Sequence, residues 1–195
     1  MVFAVTEAVV EAKTYTADEY LALELKSDTR HEYRNGEISP MTGGTPAHNQ
    51  IAVAFNALLW IVLRGQAYSI FSADQRLWIP DRNLYTYPDS MVISRPVELQ
   101  SGRKDTVTNP ILIAEVLSDS TKAYDRDEKF AAYRTIATFQ EYLLIGQYEP
   151  HVEQYVKQNA NQWLFTEHKG QDARVKLSSI PVEITLADLY EDVEF

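Results

Sequence analysis

The sequence predicts a mixed α/β fold in which a central mixed sheet is flanked by helices. Two observations carry most of that prediction. The run Ile111-Leu112-Ile113-Ala114-Glu115-Val116-Leu117 has the length and composition of a strand buried on both faces, which requires cover on each side. Helical patterns lie before and after it, giving the order helix, three strands, helix, strand through the middle of the chain. With 195 residues the simplest organisation is one domain, 1–195, with its core at about 45–147.

The elements follow in order. Thr16-Ala17-Asp18-Glu19 is a capping-box pattern that starts a short helix through Tyr20, Leu21 and Leu23. In His31-Glu32-Tyr33-Arg34-Asn35-Gly36-Glu37-Ile38 the Asn-Gly pair predicts a two-residue hairpin. Arg34 then opposes Glu37 and Glu32 opposes Ser39, so both glutamates share a face. Thr45-Pro46 is a cap followed by proline at the first helical position. The helix it opens runs through Ile51, Phe55, Leu59, Trp60 and Leu63, stops near Gly65, and is apolar around most of its girth, so it is expected to be buried. Strands are expected at about 68–79, 87–94 and 111–118. A helix follows over Asp125 to Ile136, with Phe130, Tyr133 and Ile136 on one stripe. Glu141 to Ile145 is a further strand, and the pieces around 152–156 and 163–167 extend the sheet or form a hairpin. Thr185 caps a last short helix through Leu186, Leu189 and Tyr190.

Composition removes several classes of function. The absence of cysteine excludes disulfides, thiolate zinc sites and cysteine nucleophiles, and is compatible with a cytoplasmic location. No apolar stretch reads as a membrane span, so no membrane partner is expected. The start, Met1 to Thr14, is apolar but carries Glu7 and Glu11 and has no basic flank, so a signal peptide is not expected. A net charge of -10 opposes general binding to nucleic acid. A polyanion would need a local basic surface drawn from Arg34, Arg103, Lys104, Lys122, Arg126, Lys129 and Arg134, several of which alternate with acids.

Two acids stand where apolar residues belong. Glu115 interrupts the buried strand, and a lone carboxylate there loses its hydration unless a cation meets it. In Tyr87-Pro88-Asp89-Ser90-Met91-Val92-Ile93, strand alternation puts Asp89 on the face of Met91 and Ile93. If their strands are neighbours, the two carboxylates are half of a site for Mg²⁺ or Mn²⁺, which take oxygen ligands and leave positions for water and phosphate. The simpler readings are an Asp89 that bonds backbone amides at a strand entry and a Glu115 in a buried ion pair with Lys129 or Arg76.

Pro88-Asp89 and Glu115-Val116-Leu117 in this element order resemble the PD-(D/E)xK nuclease superfamily, with its restriction-endonuclease-like core. The segment from Pro110 to Ile145 is similar to the Uma-type endonucleases. It carries Glu115-Val116-Leu117-Ser118, Ser120-Thr121, Asp125-Arg126, Lys129, Tyr133 and Glu141-Tyr142-Leu143-Leu144. Glu32, Asn35-Gly36-Glu37 and His48 fit the same pattern, and the resemblance covers roughly 16–190. It implies hydrolysis of DNA phosphodiester bonds by an endonuclease that uses Mg²⁺ or Mn²⁺, with Asp89 and Glu115 as metal ligands. It also implies a homodimer, because duplex cutters of this superfamily often act in pairs.

One position departs from the pattern. The superfamily's lysine falls two residues after the strand glutamate, where this chain has Leu117. Lys129 on the following helix is the replacement by family position, and Asp125, Lys129, Ala132 and Ile136 share a helical stripe. Lys122 is the poorer alternative. Lys129 is either that catalytic lysine or a solvated partner of Asp125 four residues away. Glu32 is either a third metal ligand or part of an exposed hairpin across which Arg34 and Glu37 pair. Glu37 reads as structural and His48 as a capping or packing residue. The competing function is a non-catalytic binding or assembly module on a nuclease fold, favoured by Leu117 and the acidic charge. Metal-dependent hydrolysis of a smaller phosphorylated molecule is a third.

Overall fold

The computed structural model describes residues 13–195, so most of the apolar start with Glu7 and Glu11 lies outside the described residues. Thr16 caps helix α1 (Ala17–Glu24): its hydroxyl accepts from the Glu19 amide at 3.2 Å, and the Glu19 carboxylate accepts from the Thr16 amide at 2.7 Å. β1 (His31–Arg34) and β2 (Glu37–Pro40) form the expected hairpin, with Arg34 opposite Glu37 and Glu32 opposite Ser39. Asn35 and Gly36 both take the positive φ that this turn demands.

Helix α2 (Pro46–Leu63) begins as expected, with the Thr45 hydroxyl accepting from the His48 amide at 3.1 Å. Its burial corrects the expectation. Only the stripe Ile51, Phe55, Leu59 and Leu63 is buried, against β3 (Tyr68–Ser72), β6 (Ser90–Ser94) and β8 (Leu112–Leu117). The helix meets the sheet on one side alone, so its outer apolar residues stay exposed. By length and composition α2 would also pass for a membrane span; its buried stripe makes it a core helix.

The stretch 68–79 is two strands. The Gln75 amide closes a turn on the Ser72 carbonyl at 2.9 Å, sending β3 into one sheet and β4 (Arg76–Ile79) into another. The stretch 87–94 is a strand only from Ser90: β5 (Leu84–Thr86) ends just before it, Tyr87-Pro88-Asp89 links the two sheets, and β6 occupies the rest. Asp89 therefore precedes the strand rather than alternating within it.

The larger sheet has the order β11-β10-β9-β8-β6-β3, where β9 is Glu141–Gly146, β10 is His151–Asn159 and β11 is Gln162–Lys169. Within it only β8 and β9 run parallel, as a crossover through a helix requires. The smaller sheet, β2-β1-β5-β4-β7 with β7 at Thr106–Val107, is absent from the sequence reading. So is the pair β12 (Arg174–Lys176) and β13 (Glu183–Thr185). Helix α3 spans 122–133: Lys122–Tyr124 and Phe130–Tyr133 are α-helical turns, and Asp125–Lys129 between them is π-helical. Thr185 caps α4 (Leu186–Leu189) as expected.

The expected core order survives as α2, β3, β6, β8, α3 and β9, with the small sheet inserted between its strands. Along β8, Leu112, Ala114 and Val116 join the core that contains α2, whereas Ile113 and Leu117 join the one that contains α3. Glu115 shares the phase of Ile113 and Leu117, so its carboxylate meets α3.

Candidate active site

β6 pairs antiparallel with β8, Ser90 opposite Ala114, and this register carries Asp89 to the side of Glu115. The Asp89 amide donates to Glu115 Oε2 at 3.2 Å, and Asp89 Oδ2 accepts from the Val116 amide at 2.8 Å. From α3, Lys129 Nζ lies 3.1 Å from Glu115 Oε1 and 3.0 Å from Asp125 Oδ1. The Tyr133 hydroxyl donates to Glu115 Oε1 at 2.6 Å. At about 100° per residue, an ideal α-helix would fan Asp125, Lys129 and Tyr133 over about 80°. The wider π turn narrows that fan and turns all three toward β8. His48, in the first turn of α2, brings Nε2 to 3.2 Å from Asp89 Oδ1. His48, Asp89, Glu115, Asp125 and Lys129 line one cleft of about 470 Å³, with Tyr133 buried behind it. Glu32 lines it too, held by the Thr86 hydroxyl at 2.7 Å and by the Tyr124 hydroxyl.

Three carboxylates, Glu115, Asp125 and Glu32, thus act on one lysine, while Asp89 faces His48. Burial pushes the Glu115 carboxyl up, to about 7; Lys129 pulls against this, while Asp89 and Asp125 add to it. Burial disfavours the Lys129 ammonium, but Glu115, Asp125 and Glu32 outweigh burial and hold it charged well above its ordinary range. For His48 burial is again opposed, by Asp89 first and then Glu115 and Asp125, and the net shift is upward. The cluster is short of positive charge. Although Asp125 Oδ1 is close to the ammonium, the contact is out of line for a hydrogen bond, and the atom is buried without a donor.

A divalent cation fits that deficit. Asp89 and Glu115 offer hard oxygen donors side by side, the arrangement in which magnesium keeps water and phosphate in its other positions. Among the described residues no three acids or histidines are already gathered into a cage, so the protein supplies part of a coordination shell only.

Asp89, Glu115 and Lys129 are therefore in contact, and Glu32 is in the same cleft but tied to hydroxyls. Both simple readings of the acids hold beside this: Asp89 bonds a backbone amide, and Glu115 is ion-paired with Lys129. Arg76 is instead engaged with Glu24, Tyr87 and Asp105. Leu117 is packed into the α3-side core, and Lys122 pairs with Asp119 outside the acid cluster. The contacts of Asp89 with His48, of Glu115 with Tyr133 and of Glu32 with Thr86 and Tyr124 were missed, and for Tyr124 and Thr86 the sequence holds no periodic signal. Of the basic residues named as candidates, Arg34 pairs with Glu37 and Glu128, Arg103 with Asp105, Lys122 with Asp119 and Arg126 with Glu153, so much of their charge is already engaged by acids.

Residues 17–188 match the Uma2 family, described as "Putative restriction endonuclease". The chain is 41% identical over 174 residues to "Uncharacterized protein sll1609" of Synechocystis sp., covering 89% of this chain and 98% of that one. It is 34% identical to "Uncharacterized protein slr1290" of the same organism, covering 91% and 92% of the two chains. A crystal structure of a "putative nuclease belonging to DUF820" from Anabaena variabilis superposes with a TM-score of 0.73, covering 91% of this chain and 98% of that one. At 19% identity that likeness shows the fold, which is nuclease-like.

Proposed function

Because the chain belongs to the Uma2 family, we propose that it is a divalent-metal-dependent endonuclease that hydrolyses phosphodiester bonds of DNA. The observation that supports this reading best is the reach of Lys129 from α3 to Glu115, beside Asp89, in one cleft. A lysine absent from the strand is supplied by the next helix.

Asp89 and Glu115 would hold Mg²⁺ or Mn²⁺ through their carboxylate oxygens. When bound, such an ion supplies Lewis acidity at a phosphoryl oxygen and lowers the pKa of a water. Lys129 keeps a fixed positive charge at the same place, where it stabilises the negative charge that develops on the phosphoryl group. Glu115, Asp125 and Tyr133 orient that lysine and the carboxylate it touches, so little reorganisation is needed as charge develops. His48 Nε2 holds Asp89 Oδ1 and helps fix that carboxylate in place.

The pairing of Arg34, Lys122 and Arg126 with acids favours a second reading, a non-catalytic module on the same fold. Calorimetric titration of Mn²⁺ into wild type, Asp89→Ala and Glu115→Ala separates the two when followed by incubation with circular duplex DNA. The nuclease reading expects saturable binding lost in both variants, and cleavage lost in Lys129→Ala while that variant still binds the ion. A wild type that neither binds Mn²⁺ nor cuts DNA with it sinks the proposal.

A further inference from the structure

Helix α2 carries a second stripe, turned away from the core, apolar at Val53, Ala57, Trp60 and Ile61 and polar at its two ends. Gln50, Val53, Ala57, Trp60 and Arg64 recur at spacings of 3, 4, 3 and 4, the seam pattern of two paired helices, with Ile61 at its edge. Val53, Trp60 and Ile61 are 69%, 56% and 65% exposed. Scattered apolar residues on a surface are ordinary, but a continuous stripe of them along one helix marks an interaction site.

The stripe is nearly symmetric about Ala57. Val53 and Ile61 lie four residues to either side of it, and Gln50 and Arg64 lie seven. A self-complementary surface of this kind is what a two-fold interface needs, because each residue must meet its counterpart's complement. In an antiparallel pair centred on Ala57, Val53 faces Ile61 of the other copy, and the small alanine lets the helices approach closely.

Charge agrees with that register. A groove of about 450 Å³ runs beside the N-terminal part of α2, and its far wall carries Asp188, Glu191 and Asp192. Arg64 sits at the opposite end of the helix, stacked on Trp60 at 5.4 Å, and among the described residues it makes no salt bridge. Antiparallel pairing brings each Arg64 alongside Gln50 of the other copy, next to this acidic wall. The same acids disfavour an anionic membrane surface as the occupant.

We propose that the protein is a homodimer joined by antiparallel packing of α2 on α2 about a two-fold axis at Ala57. This interface is independent of the nuclease reading.

The absence of native cysteine permits a direct test. Ala57→Cys should form a disulfide-linked dimer on mild oxidation, whereas Ala160→Cys in the exposed β10–β11 turn should not. In sedimentation equilibrium the wild type should be dimeric. Arg64→Glu should weaken the dimer about tenfold or more, and adding Glu191→Lys and Asp192→Lys should restore it. A monomeric wild type, an Ala57→Cys protein that fails to cross-link, or a dimer indifferent to both charge changes overturns the proposal. So does a monomer that binds phosphatidylcholine vesicles through Trp60.

Discussion

Glu115 is the residue on which the candidate site turns, because it meets the Asp89 amide, a lysine and a tyrosine at once. Its position as the sole acid in an apolar strand was legible from sequence alone. Its partner was harder to read, since Leu117 stands at the familiar position and only a helix seen in three dimensions shows which lysine reaches back. The raised Glu115 pKa has a consequence for stability. The folded protein holds this proton up to about 7, against an ordinary value of 4.5, so the group's contribution is greatest at low pH. It declines as pH rises from about 4.5 to about 7, and the loss is complete above that. Thermal unfolding in EDTA should therefore show wild type losing stability across this window relative to Glu115→Gln. Mn²⁺ at pH 8 should recover it in wild type only. Parallel pH curves for the two proteins would mean that the buried carboxylate does not carry the proton.

At the scale of elements, caps and turns were the most legible features. Thr16, Thr45 and Thr185 each cap as their sequences predict, and Asn35-Gly36 sets the hairpin register, because these signals depend on neighbours in the chain. The division of 68–79 between two sheets was not legible. It depends on what each half pairs with, and a short polar turn inside a strand-like run does not announce a change of sheet. Nor was the π segment of α3, since no residue type marks it. That segment makes its own prediction. A π turn is in effect a one-residue insertion in an α-helix, so deleting the exposed Asp127 should return the helix to α geometry. Lys129 would then rotate relative to Asp125 and lose its common approach to Glu115. Circular dichroism should stay close to wild type while Mn²⁺ affinity and any DNA cleavage fall about tenfold or more. Unchanged binding and cleavage would show that the site tolerates an ordinary helix.

Across the whole molecule, the strand and helix order fixed the fold class, because a buried strand run bounded by helices leaves few arrangements. What composition could not show is where charge resides. A net charge of -10 sets the protein against a polyanion, and the structure sharpens the conflict by pairing Arg34, Lys122 and Arg126 with acids around the cleft. A DNA phosphate approaching Asp89, Glu115, Asp125 and Glu32 meets more negative charge than Lys129 offsets. Divalent cation must then come before or with the nucleic acid, and affinity for DNA should depend on it almost completely. Fluorescence anisotropy of a labelled duplex should detect no association in EDTA at physiological salt, and association on addition of Mg²⁺ that Glu115→Ala removes. Because few phosphates are neutralised by protein side chains, log affinity should fall only shallowly with log salt, with a slope of about -1 to -3. Tight, steeply salt-dependent binding in EDTA would instead reveal a basic surface acting apart from the cleft, and the acid cluster would lose its place as the point of contact with DNA.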